Sequence, residues 1–147
     1  MCLIPGSFSL GRTHINSCDF SLASYSHDDI EDDLDLSNFD NLVSHDLNNG
    51  MIDMMLAAIA TRVKSYPNEE GMKIVASPWS PPAWMKAPRT YDDKNASHAT
   101  NMTGSAQPVC LKDGVEKDSL YAKSWALFFS KWLDACEYGG LYHNVFP

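Results

Sequence analysis

Lys73-Ile74-Val75-Ala76-Ser77-Pro78-Trp79-Ser80-Pro81-Pro82-Ala83-Trp84-Met85-Lys86 is the stretch from which the architecture can be read. Lys73–Ser77 is short, largely apolar and stopped by prolines, the pattern of a buried strand. Working backward, residues 49–65 put Ile52, Met55, Leu56, Ile59 and Val63 on one helical stripe. Asn48 or Asn49 can cap that helix, and Pro67 forces its end. Earlier still, Arg12-Thr13-His14-Ile15-Asn16-Ser17 reads as a strand running into the polar pair Cys18-Asp19. Working forward, Ser119 can cap a helix through about Tyr138, with Tyr121, Trp125, Phe128, Trp132 and Cys136 on one stripe. Gly139-Gly140 supplies its terminator. Strand, helix, strand, helix is the order of a parallel sheet with crossover helices. The fold class is α/β.

Two strands do not make a covered parallel sheet, because each leaves an unpaired edge and a helix face without partners. A closed (β/α)8 barrel uses about 250 residues for its eight units. Residues 1–147 therefore read as part of such a barrel, an incomplete TIM barrel of about two βα units. Its expected parts are a strand at about 12–17, a helix at 49–65, a strand at 73–77, a loop over 78–117 and a helix at 119–138. Both strands are expected to carry exposed edges, which predicts poor solubility. The chain is expected to be a fragment.

Composition narrows the function. Hydrophobic residues make up 44% and charged residues 20%, values of a globular chain rather than a disordered one. Eleven basic against nineteen acidic residues leave a formal net charge of −8, which opposes sequence-independent grip on nucleic acid. The longest apolar run, Met54 to Ala60, is too short to span a bilayer. Met1-Cys2-Leu3-Ile4-Pro5-Gly6 lacks the basic and apolar regions of a signal peptide. Cys2, Cys18, Cys110 and Cys136 have neither zinc-site nor disulfide-framework spacing. Asn95-Ala96-Ser97 and Asn101-Met102-Thr103 are glycosylation sequons in one polar stretch.

Residues 26–46 hold seven aspartates and Glu31. A calcium loop starting at Asp29 would need glycine where Leu34 stands, and one starting at Asp33 meets Asn38 there. A solvated acidic loop is the expectation, with no metal and no cofactor. The chemistry-bearing residues lie elsewhere. Trp79 and Trp84 stand on a proline-stiffened turn at the carboxyl end of a strand, where α/β proteins bind ligands. Either indole can be a flat platform for the C–H face of a sugar, and either can be a buried packing anchor. Asp19, past the first strand, can accept two sugar hydroxyl bonds or cap its loop. Arg12 keeps its charge and would hold a neighbouring carboxyl ionised, or form a structural ion pair. His14 reads as a core histidine or one standing behind the site, and Cys18 as a small buried thiol.

Arg12-Thr13-His14-Ile15-Asn16-Ser17-Cys18-Asp19-Phe20-Ser21, Tyr25 and the acidic run, Leu36 with Phe39, Asp46, and Ser77 to Lys86 together resemble glycoside hydrolase family 30, in particular its glucosylceramidase group. The likeness continues through Trp125-Ala126, Phe129 and Lys131-Trp132-Leu133-Asp134-Ala135, covering roughly residues 9 to 138. It implies a retaining glycosidase on a (β/α)8 barrel, acting on glucosylceramide or another β-glucoside. It implies that Asp19 and Trp79 bind the glucose unit and that Arg12 supports the nucleophile's surroundings. It also implies lysosomal or secreted placement, with peripheral membrane contact through a lipid substrate. Retaining hydrolysis needs two carboxyl groups about 5–5.5 Å apart. The family carries its acid/base in an Asn-Glu-Pro motif after the next strand, and the sequence here contains none. Glutamates 31, 69, 70, 116 and 137 sit in loops or on a helix rather than at strand ends, so no catalytic residue is assigned and the chain alone is expected to be inactive. A β-1,6-glucanase activity and a non-catalytic glycan-binding remnant are the alternatives.

Overall fold

The computed structural model describes residues 8–87, 110–138 and 145–146. The elements are β1 (Leu10–Ile15), α1 (Ser44–Asn48), α2 (Met51–Ser65), β2 (Lys73–Pro78), a 3₁₀ turn at Ala83–Met85, α3 (Leu120–Tyr138) and β3 (Val145–Phe146). Three strands form one sheet in the order β1-β2-β3, with both pairings parallel. β1 and β2 are in register from Leu10 opposite Lys73 to Ile15 opposite Pro78. Two expectations change with this sheet. A third strand is present where two were expected, and β2 lies between neighbours instead of presenting an edge.

Because side chains alternate across a strand, the register sorts the sheet into two faces. Thr13, Ile15, Ile74 and Ala76 share one face and are buried. Ile15, Ile74 and Ala76 join Ile52 and Met55 of α2 and Phe128, Trp132 and Cys136 of α3 in the core. Burying each large apolar side chain of this kind contributes about 1.5–3 kcal/mol, which is what fastens the helices to the sheet. Arg12, His14, Val75 and Ser77 share the other face and stay partly or largely exposed.

The element limits have local causes. β1 runs over 10–15 and not 12–17, because Asn16 adopts φ 64 and turns the chain out of the extended state. The helix expected at 49–65 starts at Met51, preceded by the separate short α1. Gly50, at φ 81, makes the break between them, a conformation that glycine adopts without strain. The Asn49 side chain still accepts the Met51 N–H at 3.0 Å. Val63, expected on the apolar stripe, is 53% exposed, while Arg62 is buried, ion-paired to Glu69 at 2.6 Å and set over the Tyr66 ring. Ser119 caps α3 as its sequence implies, accepting the Ala122 N–H at 2.9 Å, and Asp113 takes the Leu120 N–H at 2.6 Å.

The connection after β2 is closed at its neck. Ala87 donates to the Cys110 carbonyl at 2.8 Å and Lys112 to the Met85 carbonyl at 3.0 Å. Both sequons, at Asn95 and Asn101, lie outside the described residues.

Candidate functional site

In a parallel α/β sheet the carboxyl ends of the strands carry the chemistry, so the loops after Ile15 and Pro78 are the place to look. After β1, Cys18 to Ser21 form a tight turn, with the Ser21 N–H donating to the Cys18 carbonyl at 3.0 Å and the Cys18 N–H to the Ser21 hydroxyl at 2.9 Å. Asp19 and Phe20 occupy its tip and are exposed. After β2, Trp79 follows the strand directly and leaves half its surface, 51%, in solvent. Asp19 and Trp79 thus stand at the same end of adjacent strands.

The two tryptophans divide their roles. Trp84 is buried, its indole N–H donates to the Asp28 carbonyl at 2.9 Å and its ring lies 6.1 Å from that of Tyr121. It is a packing anchor that pins the Ser77–Lys86 turn to the acidic loop. Trp79, by contrast, is half exposed.

Arg12 and His14 project from the open face of β1. Arg12 donates to the Ser77 hydroxyl at 3.0 Å, which ties the two strands near their carboxyl ends. His14, opposite Ser77, is half-buried, and its Nε2 lies 3.4 Å from the Tyr25 hydroxyl. Burial lowers the His14 pKa, an effect that Asp46 opposes and that His45 and His27 reinforce. The Tyr25 hydroxyl donates its one proton to Asp46 at 2.8 Å, so the His14 contact is made with Nε2–H as donor.

Asp46 is the feature that a reading of charge patterns misses. It has no solvent exposure and accepts hydrogen bonds from Tyr25 Oη, from His27 Nε2 at 3.0 Å and from Trp132 Nε1 at 3.0 Å. Burial pushes its carboxyl up, but the bond and charge of His27, with the bonds from Trp132 and Tyr25, hold it below the usual range. The acidic stretch is therefore not wholly solvated as expected. Asp46 and Asp28 are core residues, and burial first, with Asp33 and Asp29 nearby, raises the Asp28 pKa to about 6. Asp33 and Asp40 behave as local staples, accepting from the Asn38 N–H at 2.8 Å and from the Ser44 N–H at 2.6 Å, whereas Asp32 reaches Lys112 at 3.2 Å and the Tyr121 hydroxyl.

A cavity of about 410 Å³ opens beside this region, lined among others by His14, Cys18, Phe20, Tyr25, His45 and Met51. Asp19 and Trp79 are not among its lining residues. A larger groove of about 880 Å³ lies at the opposite end of the sheet against Phe8, Leu10, Tyr66 and Met72, away from the ligand-binding end. Cys18 is buried, in keeping with a small core thiol. Glu69 and Glu70 precede β2 at that far end and pair with Arg62 and Lys73, and Glu31 faces Lys112 at 3.7 Å. Among the described residues no group of three or more His, Cys, Asp or Glu could hold a metal ion, and no helix is long and apolar enough to cross a membrane.

The glycosyl hydrolase family 30 TIM-barrel domain matches residues 6–144, nearly the whole chain. The chain belongs to glycosyl hydrolase family 30. Within this family it is 29% identical over 133 residues to the lysosomal acid glucosylceramidase of Mus musculus, covering 90% of this chain and 21% of that protein. It is 33% identical over 143 residues to the endo-1,6-beta-D-glucanase of Neurospora crassa, covering 95% of this chain and 24% of that one. A solved endo-beta1,6-glucanase superposes with a TM-score of 0.54 at 24% identity, over 90% of this chain and 24% of its own length, a likeness of fold. The family 30 chain thus spans about a fifth to a quarter of the relatives that it matches. Its three-stranded parallel sheet is a part of the family's barrel architecture.

Proposed function

We propose that these residues are the glucose-binding part of a retaining β-glycosidase of the glucosylceramidase type. Asp19 accepts two sugar hydroxyl bonds, Trp79 stacks on the apolar face of the same ring, and Arg12 biases a nucleophilic carboxylate toward its ionised state. The observation that carries the reading is the pairing of an exposed carboxylate with a half-exposed indole at the carboxyl ends of adjacent parallel strands. The two glutamates of retaining hydrolysis are not supplied by residues 1–147, so the chain by itself binds and does not cut. Glucosylceramide is the proposed substrate of the whole protein, with lysosomal or secreted placement and membrane contact through the lipid.

The 33% identity to a Neurospora crassa endo-1,6-beta-D-glucanase favours a second reading, in which the aglycone is another glucose. Calorimetric titration of the 147-residue chain with octyl β-D-glucopyranoside and with gentiobiose separates the two. The first reading expects tighter binding of the alkyl glucoside and no release of sugar from either. Preference for the β-1,6 disaccharide reverses the ranking, and turnover by the chain alone contradicts the assignment of the missing glutamates.

A further inference from the structure

The turn that carries Asp19 is held from a distance. Its neck is closed by Ser17, which donates both its backbone N–H and its hydroxyl to the Tyr25 carbonyl, each at 3.1 Å. Every residue from Cys18 to Ser24 lies between those two anchor points. Tyr25 is in turn fixed by its side chain. Its hydroxyl donates to Asp46 at 2.8 Å and accepts from His14 at 3.4 Å, and its ring stacks on His45 with centroids 3.5 Å apart at 17°. Asp46 completes the chain of supports by accepting from His27 beside the turn and from Trp132 on α3. Two of these donors are far away in sequence: Tyr25 is 21 residues and Trp132 86 residues from Asp46.

We infer that Asp46, acting through Tyr25, is a positioning residue that holds the neck of the Asp19 turn and thereby sets the affinity for a glucosyl group. The last step rests on the sugar-binding reading above. The residue type follows from the donors. Tyr25 O–H, His27 Nε2 and Trp132 N–H converge on two oxygens, and an ionised carboxylate accepts at both. An amide would present an N–H₂ group to at least one of them, leaving a buried donor unmatched. Tyr25 is equally particular, because one hydroxyl both donates to Asp46 and receives from β1. The path from α3 to the Asp19 turn runs by hydrogen bonds from Trp132 to Asp46 to the Tyr25 hydroxyl, through Tyr25 itself, and by two more from its carbonyl to Ser17.

Amide hydrogen exchange with an NMR titration of octyl β-D-glucopyranoside, both on the 147-residue chain, tests this with Tyr25→Phe and Asp46→Asn. Tyr25→Phe keeps the ring and leaves Asp46 two of its donors. It should speed exchange of the Ser17 amide about fivefold to tenfold, the effect of losing one buried hydrogen bond, and weaken the glucoside by a similar factor. The amides of Phe128 to Trp132 should stay unchanged, which a general loosening of the core would not allow. Asp46→Asn should also speed Ser17 exchange but disturb Trp132 as well, because its N–H₂ group faces a donor; if it fails to fold, the Tyr25→Phe result decides. Unchanged Ser17 exchange in Tyr25→Phe, or acceleration spread evenly into α3, overturns the inference. Absence of any glucoside-induced shift in the unsubstituted chain removes the sugar reading and the step to affinity, while Ser17 exchange still decides whether Asp46 positions the turn.

Discussion

The two faces of the sheet use the same strands for opposite purposes. On one, Thr13, Ile15, Ile74 and Ala76 are sealed under α2 and α3. On the other, Arg12, His14, Val75 and Ser77 remain partly or largely open and carry hydrogen-bonding groups toward the carboxyl ends. The lesson lies in the alternation. One strand of six residues can be both a packing element and a scaffold for polar groups, provided that its neighbours are in register. Stability should therefore respond to one face and ligand binding to the loops above the other.

The severest break in this contrast comes from the covered side. Trp132→Ala removes a fully buried indole and one of the donors to Asp46, and should cost about 3–5 kcal/mol in urea denaturation. Next comes a dependence on pH. Asp28 has a folded pKa of about 6 against an ordinary value of 3.8, so the fold favours its protonated form. The stability that it contributes is present below pH 3.8 and is lost as pH rises through about 6. Asp28→Asn, which imitates the protonated acid, should match the parent chain below pH 3.8, gain on it by at most about 1.4 kcal/mol per pH unit between 3.8 and about 6, and keep a constant margin above that. Parallel pH profiles of the two chains would contradict the buried-acid assignment. Ser119→Ala, which removes the cap of α3, should cost about 1 kcal/mol. Smallest of all, Arg12→Ala on the open face should change stability by no more than about 0.5 kcal/mol.

How far the sequence could be read depends on the range of the interaction. The stripe Tyr121, Trp125, Phe128, Trp132, Cys136 is a local periodicity, and its last three residues are buried while Tyr121 and Trp125 are partly buried. The Ser119 cap is equally local, while β2 runs one residue past its expected end and takes in Pro78. The end of β1 was not legible, because Ile15-Asn16-Ser17 looks continuous until Asn16 is found at positive φ. The burial of Asp28 and Asp46 was hidden for a different reason. A run of aspartates looks solvated, yet the Asp46 carboxylate accepts from Trp132, 86 residues away, and the Asp28 carboxylate from the Ile30 N–H while Trp84, 56 residues away, holds the Asp28 backbone carbonyl. A tryptophan N–H that needs a buried acceptor is the signal that could have exposed Asp46. Trp79 and Trp84 looked equivalent by composition, and the structure separates them by burial: Trp84 is buried and donates to the Asp28 carbonyl, whereas Trp79 is half exposed.

The central claim is that Asp19 and Trp79 grip one sugar together. It is tested most directly by following the Asp19 amide and the Trp79 indole N–H in a single NMR titration of the chain with octyl β-D-glucopyranoside. Both signals should move along saturating curves with one shared dissociation constant, and Asp19→Ala should abolish both movements. Two unrelated curves, or an indole that responds while residue 19 stays still, would contradict it.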